Sequence, residues 1–471
     1  MRSIKPPPAN YVLSTALIEM KLSNLIIRNI IAPLWAAKER SRYLQYLATV
    51  EAMHLRPRNE VEQDHFARLQ CLTTHAYTQT EYYRLRLDSV GIIPEKITSP
   101  ADLQQLPLLT KDDLRAHKDL MVSRAIPRGK LTTKKTSGST GTYVQLCVDE
   151  ESIQWKRAVT ASYDRWAGWD VGERIGAIWG NPECYQNWRA YLRNLLLARH
   201  IPLDTLKMDP DTMRKYHATL LRKKPAILFG HAHSLFLFAQ FMEQNGLSGI
   251  RPKGIISTAM VLHPFERQTI ERVFGCRVTN RYGCEEVSLI ACECPHGNMH
   301  LNCDTLIVEF IRDGKPVAPG EPGAIVVTDL SNYGMPIIRY KVGDVGVPSA
   351  KTSCACGCTY PIMESLEGRV ADYVVTPDGS YISGISLTEN FAMQLPGIKQ
   401  LQIVQEEIDK LVFSVVKGEQ FTDQTLQDLD RLAKERFGNR MHYQVEYVDS
   451  IQSESSGKYR FCISKLPNPF C

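Results

Sequence analysis

Lys134-Lys135-Thr136-Ser137-Gly138-Ser139-Thr140-Gly141-Thr142 puts two glycines, five hydroxyl side chains and two lysines into nine residues. Gly138 and Gly141 permit backbone conformations that a Cβ forbids, and they let main-chain N–H groups come close to a ligand. Consecutive N–H groups make a concave anion site, and hydroxyls add donors around it. A triphosphate suits such a site. No Gly-Lys-Ser/Thr closes the stretch, so it is not a Walker loop. The same composition also describes a plain turn, so the decision rests on the rest of the chain.

The chain has 471 residues, which is long enough for two or three domains. A net charge of +5 on 56 basic and 51 acidic residues is small, and no dense Lys/Arg block occurs, so nucleic acid is not expected as a partner. The first residues lack the long uncharged core of an export signal: Glu19, Lys21 and Arg28 interrupt the apolar turns. No apolar run reaches the length of a membrane span. Leu22–Leu34 is expected to be an amphipathic helix packed on the protein's own body, with a partner as the other reading. Thirteen cysteines without an export signal point to a reducing compartment and a cytoplasmic protein. Seven of them crowd between Cys284 and Cys358, which suggests metal rather than disulfides.

Residues up to about Pro107 read as helical, with Arg68, Leu69, Leu72, Ala76 and Tyr83 near helical spacing. Tyr143–Val148 reads as a strand, followed by a helix carrying Trp155, Val159, Tyr163 and Trp166. Strand-like runs at Arg174–Trp179, Ala226–Phe229, Gly254–Ser257 and Arg277–Asn280 then alternate with helical stretches, implying an α/β core with a largely parallel sheet. Ligands bind beyond the strand ends of such sheets, which singles out Trp179-Gly180-Asn181 and Phe229-Gly230-His231. From Leu306 to Arg339 the texture is β. The final hundred residues or so read as a smaller α+β segment, with strands Leu401–Val404 and Leu411–Val416 and a helix at Thr425–Phe437.

Four further stretches carry chemistry: Arg281-Tyr282-Gly283-Cys284-Glu285-Glu286, Ile338-Arg339-Tyr340-Lys341-Val342-Gly343-Asp344, Leu366-Glu367-Gly368-Arg369-Val370-Ala371-Asp372, and Ser455-Ser456-Gly457-Lys458-Tyr459-Arg460-Phe461. An aromatic face suits a purine, a hard carboxylate suits a hard cation, and one carboxylate can accept from two hydroxyls. Taken in order with the glycine loop, these stretches resemble the acyl-adenylate-forming enzymes, and more closely the phenylacetate–CoA ligase family, including its branch associated with capsule-biosynthesis genes.

The resemblance covers most of the chain, from His75–Arg84 to the terminal lysine. It implies a large α/β domain with a β-rich subdomain over residues 1–368 and a small mobile α+β domain over 369–471. It implies that Thr136, Ser137, Gly138, Ser139, Thr140 and Gly141 hold the β and γ phosphates of ATP. Tyr282, beside Gly283, would pack on adenine, Glu286 would help hold Mg²⁺, Asp344 would accept both ribose hydroxyls, and Arg369 would contact the nucleotide from the hinge. Lys458 would swing in to offset charge on the carboxylate and α-phosphate. The chain departs from the family pattern at Thr142-Tyr143, where proline is usual, at Glu285, where Ser or Thr is common, and at Met260, where Glu is frequent.

The expected reaction is ATP-dependent activation of a carboxylic acid, aryl or arylacetic in the named family, to acyl-AMP, then transfer to the thiol of CoA. Transfer to an amine, and a binding protein of the same fold without catalysis, are the alternatives. Trp179, Gly230, His231 and His233 are candidates for the acyl pocket. Among the clustered cysteines, Cys294, His300, Cys354 and Cys356 form a ligand set for a structural Zn²⁺, with Cys292, Cys303 and Cys358 as substitutes. The acid and the oligomeric state are left open.

Overall fold

The structure is a computed structural model that describes residues 22–135, 144–179, 188–205, 208–369, 373–377, 381–383, 395, 397–418, 420–438, 440–451 and 462–466. It divides into two compact units, one containing residues up to Glu51 and Arg157–Arg281, the other Ala52–Lys156 and Tyr282 onward. In the second unit, strands β1 (Leu131–Lys135) and β2 (Gln145–Asp149) pair antiparallel, with Lys135 opposite Gln145. The glycine-rich residues 136–143 join these paired ends and lie outside the described residues. The Asp149 carboxylate pins the hairpin's far end by accepting from the Ser152, Tyr333 and Gly334 N–H groups.

The first unit is an α/β layer. Its strands are β3 (Ile175–Ile178), β4 (His200–Leu203), β5 (Ile227–His231), β6 (Gly254–Thr258) and β7 (Val278–Cys284), in the spatial order 4-3-5-6-7 and all parallel. β3 is buried along its whole length, as strands covered on both faces must be. The crossover helices show why they form. Pro210–Lys223 starts with an Asp209 side chain accepting from Thr212 N–H and a proline in the first turn. It buries Met213, Tyr216, His217 and Leu220 on one stripe. The alternation expected for an α/β core is therefore present, with most strand ends shifted by a residue or two. The largest shift is at β7, which runs on to Cys284 and so carries Tyr282 and Gly283 on a strand.

In the second unit the β texture is longer than expected, from Ser288 to Arg369. Strands β8 (Ser288–Glu293), β9 (Met299–Leu301), β10 (Leu306–Arg312), β11 (Lys315–Pro316), β12 (Gly323–Asp329), β13 (Ile337–Pro348) and β14 (Ile362–Arg369) lie in the order 11-10-12-13-14-9-8, with antiparallel neighbours. Every residue of β12 is buried. The core beneath includes Leu69, Leu72, Tyr83 and Leu87 from the helices Arg58–Gln79 and Glu81–Ser89, so this portion of the expected helical N-terminal part is structural cover for the sheet. The last segment pairs β15 (Tyr373–Val375) with β16 (Tyr381–Ser383). It then builds a sheet from β17 (Ile398–Glu407), β18 (Lys410–Lys417), β19 (His442–Tyr447) and β20 (Cys462–Ser464) in the order 19-18-17-20. The helix Asp423–Phe437 buries Leu429, Leu432, Ala433 and Phe437 in a core of that segment's own.

Candidate active site and cysteine cluster

Two of the chemistry-bearing stretches meet in the second unit. The Tyr282 hydroxyl donates to Asp344 Oδ2 at 2.7 Å. Burial first, and the Asp344 carboxylate second, push the Tyr282 phenol well above its ordinary pKa, so it stays a proton donor. Four residues along, the buried Glu286 accepts from the Tyr340 hydroxyl at 3.1 Å, and the Lys111 ammonium stands 3.7 Å from the same oxygen. A buried carboxylate that already draws a cation is a suitable place for a hard divalent one. Gly283 is required by the chain beside it: a Cβ there would lie 2.4 Å from the Ser288 carbonyl oxygen. Asp344 is in register with Arg369 across β13 and β14, which places the Arg369 backbone beside it, although the Arg369 side chain lies outside what is described.

The base of the glycine loop belongs to this neighbourhood. Burial, then Lys156, lower the Lys134 pKa, while Glu285 and Asp329 act in the opposite direction. Glu285, a departure from the resembled pattern, thus acts electrostatically on the strand that leads into the loop. The loop residues Thr136, Ser137, Gly138, Ser139, Thr140 and Gly141, and the terminal Lys458, lie outside the described residues. Lys111 and Tyr340 were not singled out as site residues from sequence. Their only local signal is position. Lys111 opens a helix closed by a Thr110–Asp113 capping box, and Tyr340 lies four residues before Asp344.

The acyl-pocket candidates form a second group, in the first unit. The Trp179 ring lies 4.0 Å from His231 and stacks on Phe229 at 5.3 Å. Gly230 and His231 are inside β5 rather than beyond it. A Cβ on Gly230 would meet the Ile178 carbonyl oxygen at 2.7 Å, so the glycine allows β3 and β5 to close here. Arg281 lies over Phe229 at 4.9 Å and pairs with Asp164 at 2.6 Å. His233 leaves the aromatic group. Its Nδ1 bonds the buried Glu266 carboxylate at 3.0 Å, and Glu266 also caps the Pro264–Phe274 helix. That partner gives His233 a structural task.

The ligand atoms of Cys294, His300, Cys354 and Cys356 all lie within 4.8 Å of one another. Cys294 Sγ and Cys354 Sγ are 3.6 Å apart, and Cys356 Sγ is 3.3 Å from His300 Nε2. A tetrahedral zinc with its usual bond lengths needs such edges at about 3.8 and 3.6 Å. His300 Nδ1 donates to the Tyr360 carbonyl at 2.9 Å, which turns the Nε2 lone pair toward the thiols. Burial lowers the His300 pKa, but the surrounding thiols outweigh it and lift it to about 12. Burial raises the Cys354 pKa, and hydrogen bonds from the Cys356 backbone and His300 overturn this and bring it down to about 6. The four residues fit zinc, and they use the set named from sequence rather than its substitutes.

A parallel α/β layer, an antiparallel sheet holding tyrosine–carboxylate pairs and a small terminal sheet together make the adenylate-forming ligase fold. The solved structure of 2-hydroxyisobutyryl-CoA ligase in the postadenylation state with R3-HIB-AMP has a TM-score of 0.69 at 20% identity, covering 88% of this chain and 91% of that one. The family model of the CapK C-terminal domain matches residues 374–465. Protein CapK of Staphylococcus aureus is 23% identical over 424 residues, 88% of this chain and 92% of that protein. Phenylacetate-coenzyme A ligase of Escherichia coli (strain K12) is 26% identical over 319 residues, 65% of this chain and 71% of that protein. The chain is homologous to protein CapK and to the phenylacetate–CoA ligases, and AMP-forming ligase is the enzyme class that this homology supports. Among the described residues no helix is long and apolar enough to cross a membrane.

Proposed function

We propose that this chain activates a carboxylic acid with ATP and passes the acyl group to the thiol of CoA. The observation that carries this reading is the meeting of Tyr282 with Asp344 and of Glu286 with Tyr340, two pairings between motifs that are distant in sequence. A carboxylate oxygen attacks the α-phosphorus of ATP, the bond to the β-phosphate oxygen breaks, and pyrophosphate leaves. The CoA sulfur then attacks the acyl carbon, loses its proton, and AMP departs.

Asp344 binds the ribose hydroxyls, Tyr282 covers the adenine, and Arg369 contacts the nucleotide from the strand opposite Asp344. Residues Thr136–Gly141 hold the phosphates, and Glu286 would hold Mg²⁺, which neutralises triphosphate charge. Lys458, on a small domain beginning at 369, offsets charge on the α-phosphate and the carboxylate. Trp179, Gly230 and His231 line the acyl pocket. Zinc on Cys294, His300, Cys354 and Cys356 is structural, because four protein ligands leave no open position.

The test is pyrophosphate exchange with a panel of carboxylic acids, followed by product mass with CoA or with amines. Acid-dependent exchange and an acyl-CoA product are expected. Exchange without thioester formation would overturn the acceptor. No exchange with any acid would leave a binding protein.

A further inference from the structure

We propose that the first unit carries a docking face for an anionic membrane surface, built from Leu22–Lys38 and Trp188–Ala198. Leu22–Ile26, Ile27–Ile31 and Ala32–Lys38 form one continuous helical rod whose middle turn is a wider π turn. One side of the rod is fastened to its own unit. Ile27 is buried, the Asn24 side chain accepts from Arg199 Nη1 at 2.7 Å, and Arg28 pairs with Asp170. The other side carries Leu22, Ile26, Ile30 and Leu34, all exposed, with Leu22 at 73% and Leu34 at 66%. In an α-helix a row of every fourth residue drifts forward by about 40° per step. The π turn drifts the other way, which keeps these four in one stripe. The helix Trp188–Arg193, continued by the π turn Asn194–Ala198, packs against the rod's π turn and buries none of its own residues. It adds exposed Trp188, Tyr191, Leu192 and Leu195.

The charge of the face selects its occupant. Across residues 22–42 and 188–199 the chain carries Arg28, Lys38, Arg40, Arg42, Arg189, Arg193 and Arg199 against a single acid, Glu39. Arg28 and Arg199 are paired within their own unit, whereas Lys38, Arg189 and Arg193 on the two segments, and Arg40 and Arg42 just after the rod, are exposed. Apolar residues with tryptophan and tyrosine, rimmed by arginine and lysine, suit the boundary between acyl chains and anionic headgroups. A two-fold dimer through the same face would bring two basic surfaces together with a single acid on each, Glu39, to match their cations, which opposes association. The rod lies in the plane of the surface, in keeping with the absence of a membrane-spanning helix among the described residues.

The experiment is flotation of the full chain with vesicles of phosphatidylcholine, alone or mixed with phosphatidylglycerol, beside sedimentation velocity without lipid. The expected result is capture by the anionic vesicles and little by the neutral ones. Capture should weaken with added salt and fall by about tenfold or more in Arg189→Glu with Arg193→Glu. Ile30→Asp with Leu34→Asp should abolish it. Both doubles change exposed positions that the proposed function does not use, and should keep the parental melting temperature and pyrophosphate exchange. The proposal is overturned by absence of capture on anionic vesicles, or by capture that both variants retain. A lipid-free dimer that Ile30→Asp with Leu34→Asp dissociates would equally overturn it and make the face a contact between copies.

Discussion

Asp344 sits inside a long strand, with its carboxylate held by the Tyr282 hydroxyl at 2.7 Å. That bond aims the aspartate before any nucleotide arrives, so the two residues should separate in their effects. Asp344→Ala removes a charged acceptor and should weaken ATP binding by roughly 1.5–3 kcal/mol, with a smaller effect on the acid. Tyr282→Phe keeps the aromatic face and loses only the orienting hydrogen bond, about 0.5–1.5 kcal/mol. Calorimetric titration of ATP into both variants checks this, and equal losses would remove the division of labour. Lys111 was invisible as a site residue in the sequence because its partner Glu286 is far along the chain, and nothing in the local Thr110–Asp113 cap signals that pairing. Cys284 shows the opposite limit. It is named in a motif, yet burial and the neighbouring Glu286 push its thiol well above the ordinary range, which makes it a poor nucleophile at neutral pH.

At the scale of elements, the connection from β7 into β8 holds Tyr282 near the end of its first strand and Glu286 in its turn. Gly283→Ala would force a methyl against the Ser288 carbonyl and should destabilise the protein by about 1–3 kcal/mol. A urea melt reads this directly, and an unchanged midpoint would mean that the strands can part without cost. The cysteine cluster ties together three pieces of the same sheet. Cys294 follows β8, His300 lies on β9 opposite Ile362 of β14, and Cys354 and Cys356 precede β14. Metal affinity at such a site appears as folding stability, because the unfolded chain has no preformed ligand set. Cys354→Ser with Cys356→Ser should therefore release zinc and lower the melting temperature, leaving the rate per folded molecule nearly parental. Elemental analysis beside a thermal melt tests it. A metal-free parental protein of full stability would refute the site, and lost turnover in a folded variant would refute its structural role.

Across the whole molecule, the terminal segment has its own sheet and its own core, and the family model of the CapK C-terminal domain spans 374–465. A lysine on such a segment acts only when the segment is brought to the nucleotide, so it should contribute to the reaction more than to ground-state binding. Lys458→Ala should leave ATP affinity nearly unchanged and slow acyl-AMP formation by about a hundredfold or more. Adenylate formation at the parental rate would refute the role given to this residue.

Residue types and their order were enough to name the α/β class and to pick out the four Cys and His residues that the structure gathers, because these depend on local periodicity and on chemistry that few side chains can perform. Cys294, His300, Cys354 and Cys356 were legible because soft ligands in close pairs have few other uses. The tertiary structure alone decided which groups meet. It gave Tyr282 to Asp344, Tyr340 and Lys111 to Glu286, and His233 to Glu266 rather than to the aromatic group of Trp179 and His231. It also decided which side of Leu22–Lys38 meets the body. The amphipathic pattern predicted a helix packed on its own unit, and the structure buries Ile27 while leaving Leu22, Ile26, Ile30 and Leu34 outward. A sequence pattern specifies that a helix has an apolar face. What covers that face depends on surfaces contributed by residues more than a hundred positions away, here Asp170 and Arg199, and no local signal encodes them.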